Sequence, residues 1–203
     1  MYSTVEFCQK LNKGVITAEA LLADTSQLRF SWHPLGFIMC KLLERDGTSI
    51  RLHIWPPDGG RAQEPRWMIH DHIFDLSSWV LKGTVFNREY EAEADGNEFS
   101  LYEASYVENK SVLTRREERI GLTPISAYEI RSGGCYTISA GILHESELVG
   151  NEVGVTVLLT EESKERTPLV VGSLDGKDKY EYSRELVSKE ELRSLLEAIQ
   201  ARH

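Results

Sequence analysis

The sequence predicts an all-β fold, a barrel or sandwich of short strands, with short helices near the N-terminus and one helix near the C-terminus. Between residues 67 and 159, short runs of alternating apolar and polar residues are separated by glycine, proline and asparagine turns. Such a pattern is typical of sandwiches and barrels. Residues 188–199 instead carry apolar residues at helical spacing, and Ser188 and Glu191 form a predicted capping box.

The N-terminal segment carries two helix signals. Val5, Cys8 and Leu11 are spaced for one face of a short helix, and Thr17 is a plausible N-cap for a second. We therefore predict two short helices before the first strands.

Two strand signals follow. Residues 37–43 are a mostly apolar run, and residues 50–55 alternate between an apolar face and a face made of Arg51, His53 and Trp55. If the second face looks into the barrel, it forms a polar pocket for an anionic substrate. If it looks outward, it is an ordinary solvated face, and the sequence leaves both interpretations open.

The remaining strand signals set the domain organisation. The predicted strands are residues 68–74, 78–81, 84–91, 99–106, 126–131, 135–138, 144–148 and 153–159. Residues 160–182 are charged and poorly periodic, so no strand is predicted there. We expect one domain over residues 1–203, with its core at 37–160, a helical extension at 1–36, and a tail and helix at 161–203.

Composition limits the partners and the compartment. The formal net charge is -9, from 32 acidic and 23 basic residues, which argues against nucleic acid or an anionic membrane as a partner. No apolar run approaches the roughly 20 residues of a membrane span, and no signal peptide is visible. Cys8, Cys40 and Cys135 form no CxxC pair, so reduced thiols and a cytoplasmic location are expected.

Three histidines occur in two distinctive settings. His70 and His72 are separated by one residue, so on a strand both imidazoles point to the same face and could share one metal ion. His144 ends a glycine-containing turn that could bring a third nitrogen to the same point. Neutral imidazole suits zinc, iron, copper and nickel.

These settings resemble the two sequence motifs of the cupins, which fold as jelly-roll barrels (double-stranded β-helices). The first cupin motif is His-x-His with a downstream glycine, and this chain has His70, His72 and Gly83. The second is Pro-x-Gly-x-x-His, and this chain has the matching spacing up to His144, with Ser139 in place of the proline. The resemblance implies a cupin-type fold with His70, His72 and His144 as metal ligands.

The usual glutamate ligand of the first motif falls here on Leu76 or Ser77. A cupin with three histidines and no carboxylate resembles the thiol dioxygenases, such as cysteine dioxygenase. In that family Fe(II) binds the thiolate and amine of the substrate, and O₂ oxidises the sulfur to a sulfinate. The resemblance therefore implies Fe(II), O₂ and a small thiol or related small polar acid as substrate.

Two other functions remain open. One is a different metal-dependent cupin enzyme, such as an isomerase, lyase or hydrolase with Zn, Mn or Ni. The other is a cupin that binds a small molecule without turnover. A homodimer paired through barrel edges is also open.

Further residues are candidates for the same site. Tyr136 could project its hydroxyl toward the metal, or it could be a packed strand tyrosine. Asp75 could accept a hydrogen bond from a ligand imidazole, or it could be a turn or surface carboxylate. Asp71 is expected to point outward in a structural role. His33, before Pro34 in a predicted turn, is expected to have no function.

Overall fold

The computed structural model describes residues 3–162 and 166–200, apart from the side chain of Glu162. Within these residues the helices are α1 (Thr4–Asn12), α2 (Ala18–Leu22) and α3 (Lys189–Gln200). The predicted caps of α2 and α3 are confirmed. The Thr17 hydroxyl accepts from the Ala20 amide at 3.2 Å, and Ser188 and Glu191 exchange both capping-box hydrogen bonds.

The strands, in chain order, are β1 (Phe30–Trp32), β2 (Leu35–Gly36), β3 (Ile38–Arg45), β4 (Thr48–Trp55), β5 (Arg61–Ala62), β6 (Phe74–Lys82), β7 (Thr84–Glu93), β8 (Phe99–Val107), β9 (Lys110–Arg131), β10 (Cys135–Ile138), β11 (Leu143–Val149), β12 (Gly154–Glu162), β13 (Leu169–Gly172) and β14 (Lys179–Ser183). The first sheet has the order β1-β3-β4-β12-β6-β10. The second has the order β11-β7-β9-β8-β13, with β14 also paired to β9, and β2 pairs with β5. The all-β prediction is confirmed, with helices only near the ends of the chain.

The largest hydrophobic cluster packs the first sheet against the helices. The alternation predicted for β4 is confirmed, since Ile50, Leu52 and Ile54 are all buried in this cluster. Fully burying one such side chain stabilises a fold by about 1.5–3 kcal/mol. Their main partners are Leu11, Leu22, Val155, Val157 and Ile199. The opposite face of β4 is therefore free to line a cavity between the two sheets.

A short segment, residues 69–71, joins the two edge strands of the second sheet. His70 exchanges backbone hydrogen bonds with His144 of β11, at 2.9 and 3.0 Å. On its other side, this segment bonds to β13 through the Asp71 amide to Leu169 and the Val171 amide to Ile69, both at 2.9 Å. The hydrogen-bonded strands of the second sheet thus form a closed ring, and the His70 segment closes it.

Three strand predictions need correction. The strand predicted at 68–74 is not regular, and β6 begins only at Phe74. Residues 69–71 pair with β11 and β13 over too short a distance to form a strand. β9 begins at Lys110, so its predicted portion at 126–131 is only its end. β13 and β14 fall in the segment predicted to lack strands, because their partners in β8 and β9 are distant in sequence.

No helix within the described part of the chain has the length and apolar character needed to cross a membrane.

Candidate metal centre and its two cavities

The structure brings His70, His72 and His144 together where the second sheet closes. One ligand atom from each imidazole lies within 4.8 Å of the others, and the ring centroids are 4.7–5.0 Å apart. His144 is buried, and His70 and His72 are partly buried. Among the described residues, this is the one such cluster of metal-ligating side chains. The group could hold a metal ion.

Backbone carbonyls fix the orientation of two of the rings. Nδ1 of His70 donates to the Met68 carbonyl at 2.7 Å, and Nδ1 of His144 donates to the Ile142 carbonyl at 3.1 Å. Each bond leaves Nε2 of the same ring unprotonated, which is the state that ligates a metal. His72 is held differently, because its ring stacks on Phe74 at 4.6 Å.

Burial also keeps the imidazoles neutral. Removal from water lowers the pKa of all three imidazoles, that of His144 to about 3. Repulsion between the rings adds to the effect for His72 and His144. A neutral nitrogen has a lone pair to donate. The donor set, its convergence and its protonation therefore fit a divalent transition metal.

Asp71 connects the His70 segment with the turn that leads to His144. Its buried carboxylate accepts a hydrogen bond from the Leu169 amide at 2.7 Å and forms an ion pair with Arg166. The Arg166 guanidinium lies over the α-carbon of Gly141, in the turn that leads to His144. Burial raises the pKa of the Asp71 carboxyl, although the contacts with Leu169 and Arg166 act to lower it. Asp71 is structural, as expected, but it is buried and not exposed.

We expect Gly141→Ala to destabilise the protein by about 1–2 kcal/mol. Gly141 has φ +88°, and an added Cβ would lie 2.9 Å from Nη1 of Arg166, which is already paired with Asp71. Gly133→Ala is a matched control, since φ is +87° there and nothing lies within 4 Å of the added Cβ. Urea unfolding measures both, and an equal loss in the two variants would contradict a role for the Arg166 contact.

Of the two interpretations of Asp75, the structure favours that of a turn carboxylate. Its carboxylate accepts a hydrogen bond from the Ala140 amide at 2.7 Å, whereas the imidazole Nδ1 atoms of His70 and His144 bond to backbone carbonyls. Asp75 therefore supports the turn before His144 and does not orient a ligand ring directly.

Arg51, His53 and Tyr136 line one cavity with the three histidines. This first-sheet cavity has a volume of about 70 Å³ and lies on the interior face of β4. The Arg51 guanidinium lies 4.9 Å from the centre of the Phe74 ring, and its Nε donates to the Ser49 hydroxyl. Burial raises the pKa of the Tyr136 phenol. The interpretation of this face as a pocket lining is therefore the one that the structure supports.

His53 presents an unsatisfied nitrogen in that cavity. The side chain is buried between Phe37 and Trp55, and its Nε2 has no hydrogen-bond partner among the described residues. A buried polar atom without a partner costs roughly 1–3 kcal/mol, so a bound ligand or water that contacts it would relieve a penalty.

We expect His53→Gln to reduce the acid sensitivity of the fold. Burial, reinforced by Arg51, lowers the pKa of His53 from 6.5 to about 3. Between these values the unfolded chain binds the proton and the folded chain does not, so His53 reduces stability as the pH falls from 6.5. Unfolding free energies at several pH values measure this. The prediction fails if the difference in unfolding free energy between the variant and the natural protein is the same at pH 7 as below pH 5.

A second cavity shares His70 and His72 with the first. This second-sheet cavity has a volume of about 90 Å³, and Arg184 and Tyr106 lie on its wall. His33, for which no function was expected, lines both cavities and stacks on Phe37 at 4.3 Å. The sequence analysis did not identify Arg184 or His33 as lining residues, because neither belongs to a motif. The one available signal was that Arg184 is a cation in a chain of negative net charge.

No protein-family model matches the sequence, and no curated protein matches it. Solved structures similar to the chain include a cupin 2 domain-containing protein from Halorhodospira halophila, with 12% identity, 84% of this chain and 86% of that chain covered, and a TM-score of 0.33. The Cnp3 cupin domain of Schizosaccharomyces pombe has 8% identity, with 63% and 61% covered and a TM-score of 0.34. A structure of the DMSP lyases RdDddP and RnDddQII has 11% identity, with 71% and 51% covered and a TM-score of 0.34.

The chain thus spans 61% of the Cnp3 cupin-domain chain and about half of the DMSP lyase chain. These likenesses concern the fold alone. The structure itself shows an all-β protein of two main sheets, with a partly buried three-histidine group that could hold a metal ion.

Proposed function

We propose that the protein is a metal-dependent cupin enzyme, a non-haem Fe(II) dioxygenase that oxidises a small thiol or a related small polar acid. The observation that carries the proposal is the position of His70, His72 and His144, which converge beside a cavity lined by Arg51. His70, His72 and His144 would hold the metal through their Nε2 atoms. Bound Fe(II) would supply the redox chemistry with O₂ that side chains alone cannot perform.

The absence of a carboxylate from the described histidine cluster favours an anionic substrate. The three acidic side chains nearest in sequence are engaged elsewhere: Asp71 with Arg166, Asp75 with the Ala140 amide, and Glu145 with Arg88. Leu76 lines the cavity near the place where the cupin motif has its glutamate. A divalent ion on three neutral ligands keeps its full charge in a poorly solvated site. A substrate thiolate or carboxylate would neutralise part of that charge.

The residues of the first-sheet cavity would bind and orient this substrate. The Arg51 guanidinium is suited to an acid group, and Nε2 of His53 is a free polar atom for a second hydrogen bond. Tyr136 would present its phenol as a neutral donor, since burial raises its pKa. The apolar rings of Phe37, Phe74 and Trp55 would limit the entry of bulk water.

The test combines metal analysis with oxygen consumption. Protein purified without chelators is loaded anaerobically with Fe(II) and mixed with small thiol acids, aminothiols and their hydroxyl analogues. We expect O₂ uptake only with thiols, a sulfinate product by mass spectrometry, and a higher KM in Arg51→Gln. An iron-loaded protein that consumes no O₂ with any of these thiols would contradict the dioxygenase assignment.

A zinc-dependent isomerase, lyase or hydrolase is the second candidate, because a set of three neutral imidazoles suits zinc as well as iron. Stoichiometric zinc in the purified protein, with no O₂ uptake after exchange for iron, would favour this candidate.

A further inference from the structure

We propose that the second-sheet cavity is a separate binding site for a small organic anion, in which Arg184 binds the acid group and apolar side chains hold an aliphatic body. The two cavities share His33, Leu35, His70 and His72, but Arg184 lines only this one and Arg51 lines only the first-sheet cavity. The proposal goes beyond the proposed function and does not require that the histidines hold a metal.

Arg184 is a cation with unused donors. Its Nε donates to the Ser111 hydroxyl at 3.1 Å, and its guanidinium lies 4.6 Å from the centre of the Tyr106 ring. No Asp or Glu within the described ranges pairs with it, although the neighbouring Glu185 pairs with Arg61. Its two terminal nitrogens have no protein acceptor among these residues. They present the parallel donors that a carboxylate accepts in bidentate fashion.

The backbone around Arg184 is held on both sides, and its guanidinium is positioned by the contacts with Ser111 and Tyr106. The Arg184 amide donates to the Asn109 carbonyl at 2.8 Å, directly after β14 pairs with β9. One residue later, the Glu185 carbonyl accepts from the Trp32 amide at 2.8 Å. A fixed arginine loses little conformational entropy on binding, which favours affinity.

The rest of the cavity wall defines the ligand class. Trp67, Leu113, Val170 and Tyr182 make the lining mostly apolar. Asp71 also lines the cavity, and its carboxylate is paired with Arg166. A cation held in an apolar cavity, within a chain of formal net charge -9, selects a small anion over a cationic or fully polar molecule. A short branched carboxylic acid combines both features.

Isothermal titration of the full chain with 3-methylbutanoate and with its neutral amide tests this inference. We expect the acid to bind at least roughly tenfold more tightly than the amide. Arg184→Gln should weaken binding of the acid about tenfold or more while leaving that of the amide unchanged, and Arg184→Lys should retain part of it. Arg119→Gln, on the exposed surface, is the control for net charge.

Three outcomes would overturn the inference: no binding of the acid at millimolar concentration, equal binding of acid and amide, or loss of binding in Arg51→Gln and not in Arg184→Gln. The same titration on His144→Gln separates the two proposals. Acid binding that survives without metal supports this site even if the dioxygenase assignment fails. If acid binding is lost, metal content and O₂ uptake still test the dioxygenase assignment separately.

Discussion

His144→Ala is expected to lose stoichiometric metal binding, with affinity reduced by more than about 100-fold. Loss of a residue that only supports a ligand costs 10–100-fold, and His144 would itself be a ligand. It supplies one of three imidazole nitrogens that lie within 4.8 Å of one another, and no other described His, Cys, Asp or Glu belongs to this group. Elemental analysis after dialysis against limiting Fe(II) or Zn(II) measures the loss.

The control for this prediction is His53→Gln. His53 is a buried histidine of the same cavity that lies outside the three-histidine group, so its replacement should leave metal content unchanged. His144→Gln provides a less disruptive version of the ligand loss, because it fills more of the buried space. A folded His144→Gln protein with one tightly bound metal per chain would show that the site lies elsewhere.

Asp71→Ala is expected to destabilise the protein by about 2–3 kcal/mol. The carboxylate is 2% exposed, and its removal leaves the Leu169 amide without its acceptor and Arg166 without its counter-ion. The Arg166 side chain is 32% exposed and can reach water, which keeps the loss below that of a fully buried pair. Because Asp71 lies between two proposed ligands, we also expect weaker metal binding.

A double-mutant cycle with Arg166→Gln separates the contributions to that loss. Asp71→Asn retains an acceptor for the Leu169 amide and should cost less than Asp71→Ala. Urea unfolding of the single and double variants gives the coupling between Asp71 and Arg166. If the stability losses of the two single variants simply add in the double variant, Asp71 and Arg166 are not coupled. That result would contradict the ion pair as the link between the His70 segment and the turn before His144.

The sequence was sufficient to predict the fold class from local strand patterns, and the convergence of the histidines from the resemblance to the cupin motifs. Strand alternation places Ile50 and Arg51 on opposite faces of β4, and the motif spacing indicates that His144 lies near His70. The irregular path of residues 68–73 was not predictable. It depends on partners in β11 and β13, which lie more than 70 residues away along the chain.

The lining of the second-sheet cavity could not be predicted for the same reason. Arg184 reaches it because β14 pairs with β9, across a separation that no local pattern records. The role of Asp71 is a similar case. Strand alternation correctly turns its side chain away from the histidine cluster, but the segment that covers it, with Arg166 and Leu169, comes from the predicted tail.

The central claim is that three imidazole nitrogens bind one metal ion. X-ray absorption spectroscopy of the metal in protein purified without chelators tests it most directly, with the His144→Gln protein measured beside it. We expect one divalent metal per chain with three imidazole nitrogens at about 2.0–2.2 Å, and loss of this signal in the variant. A metal-free protein that cannot be loaded, or a metal whose ligands are unchanged in His144→Gln, would contradict the claim.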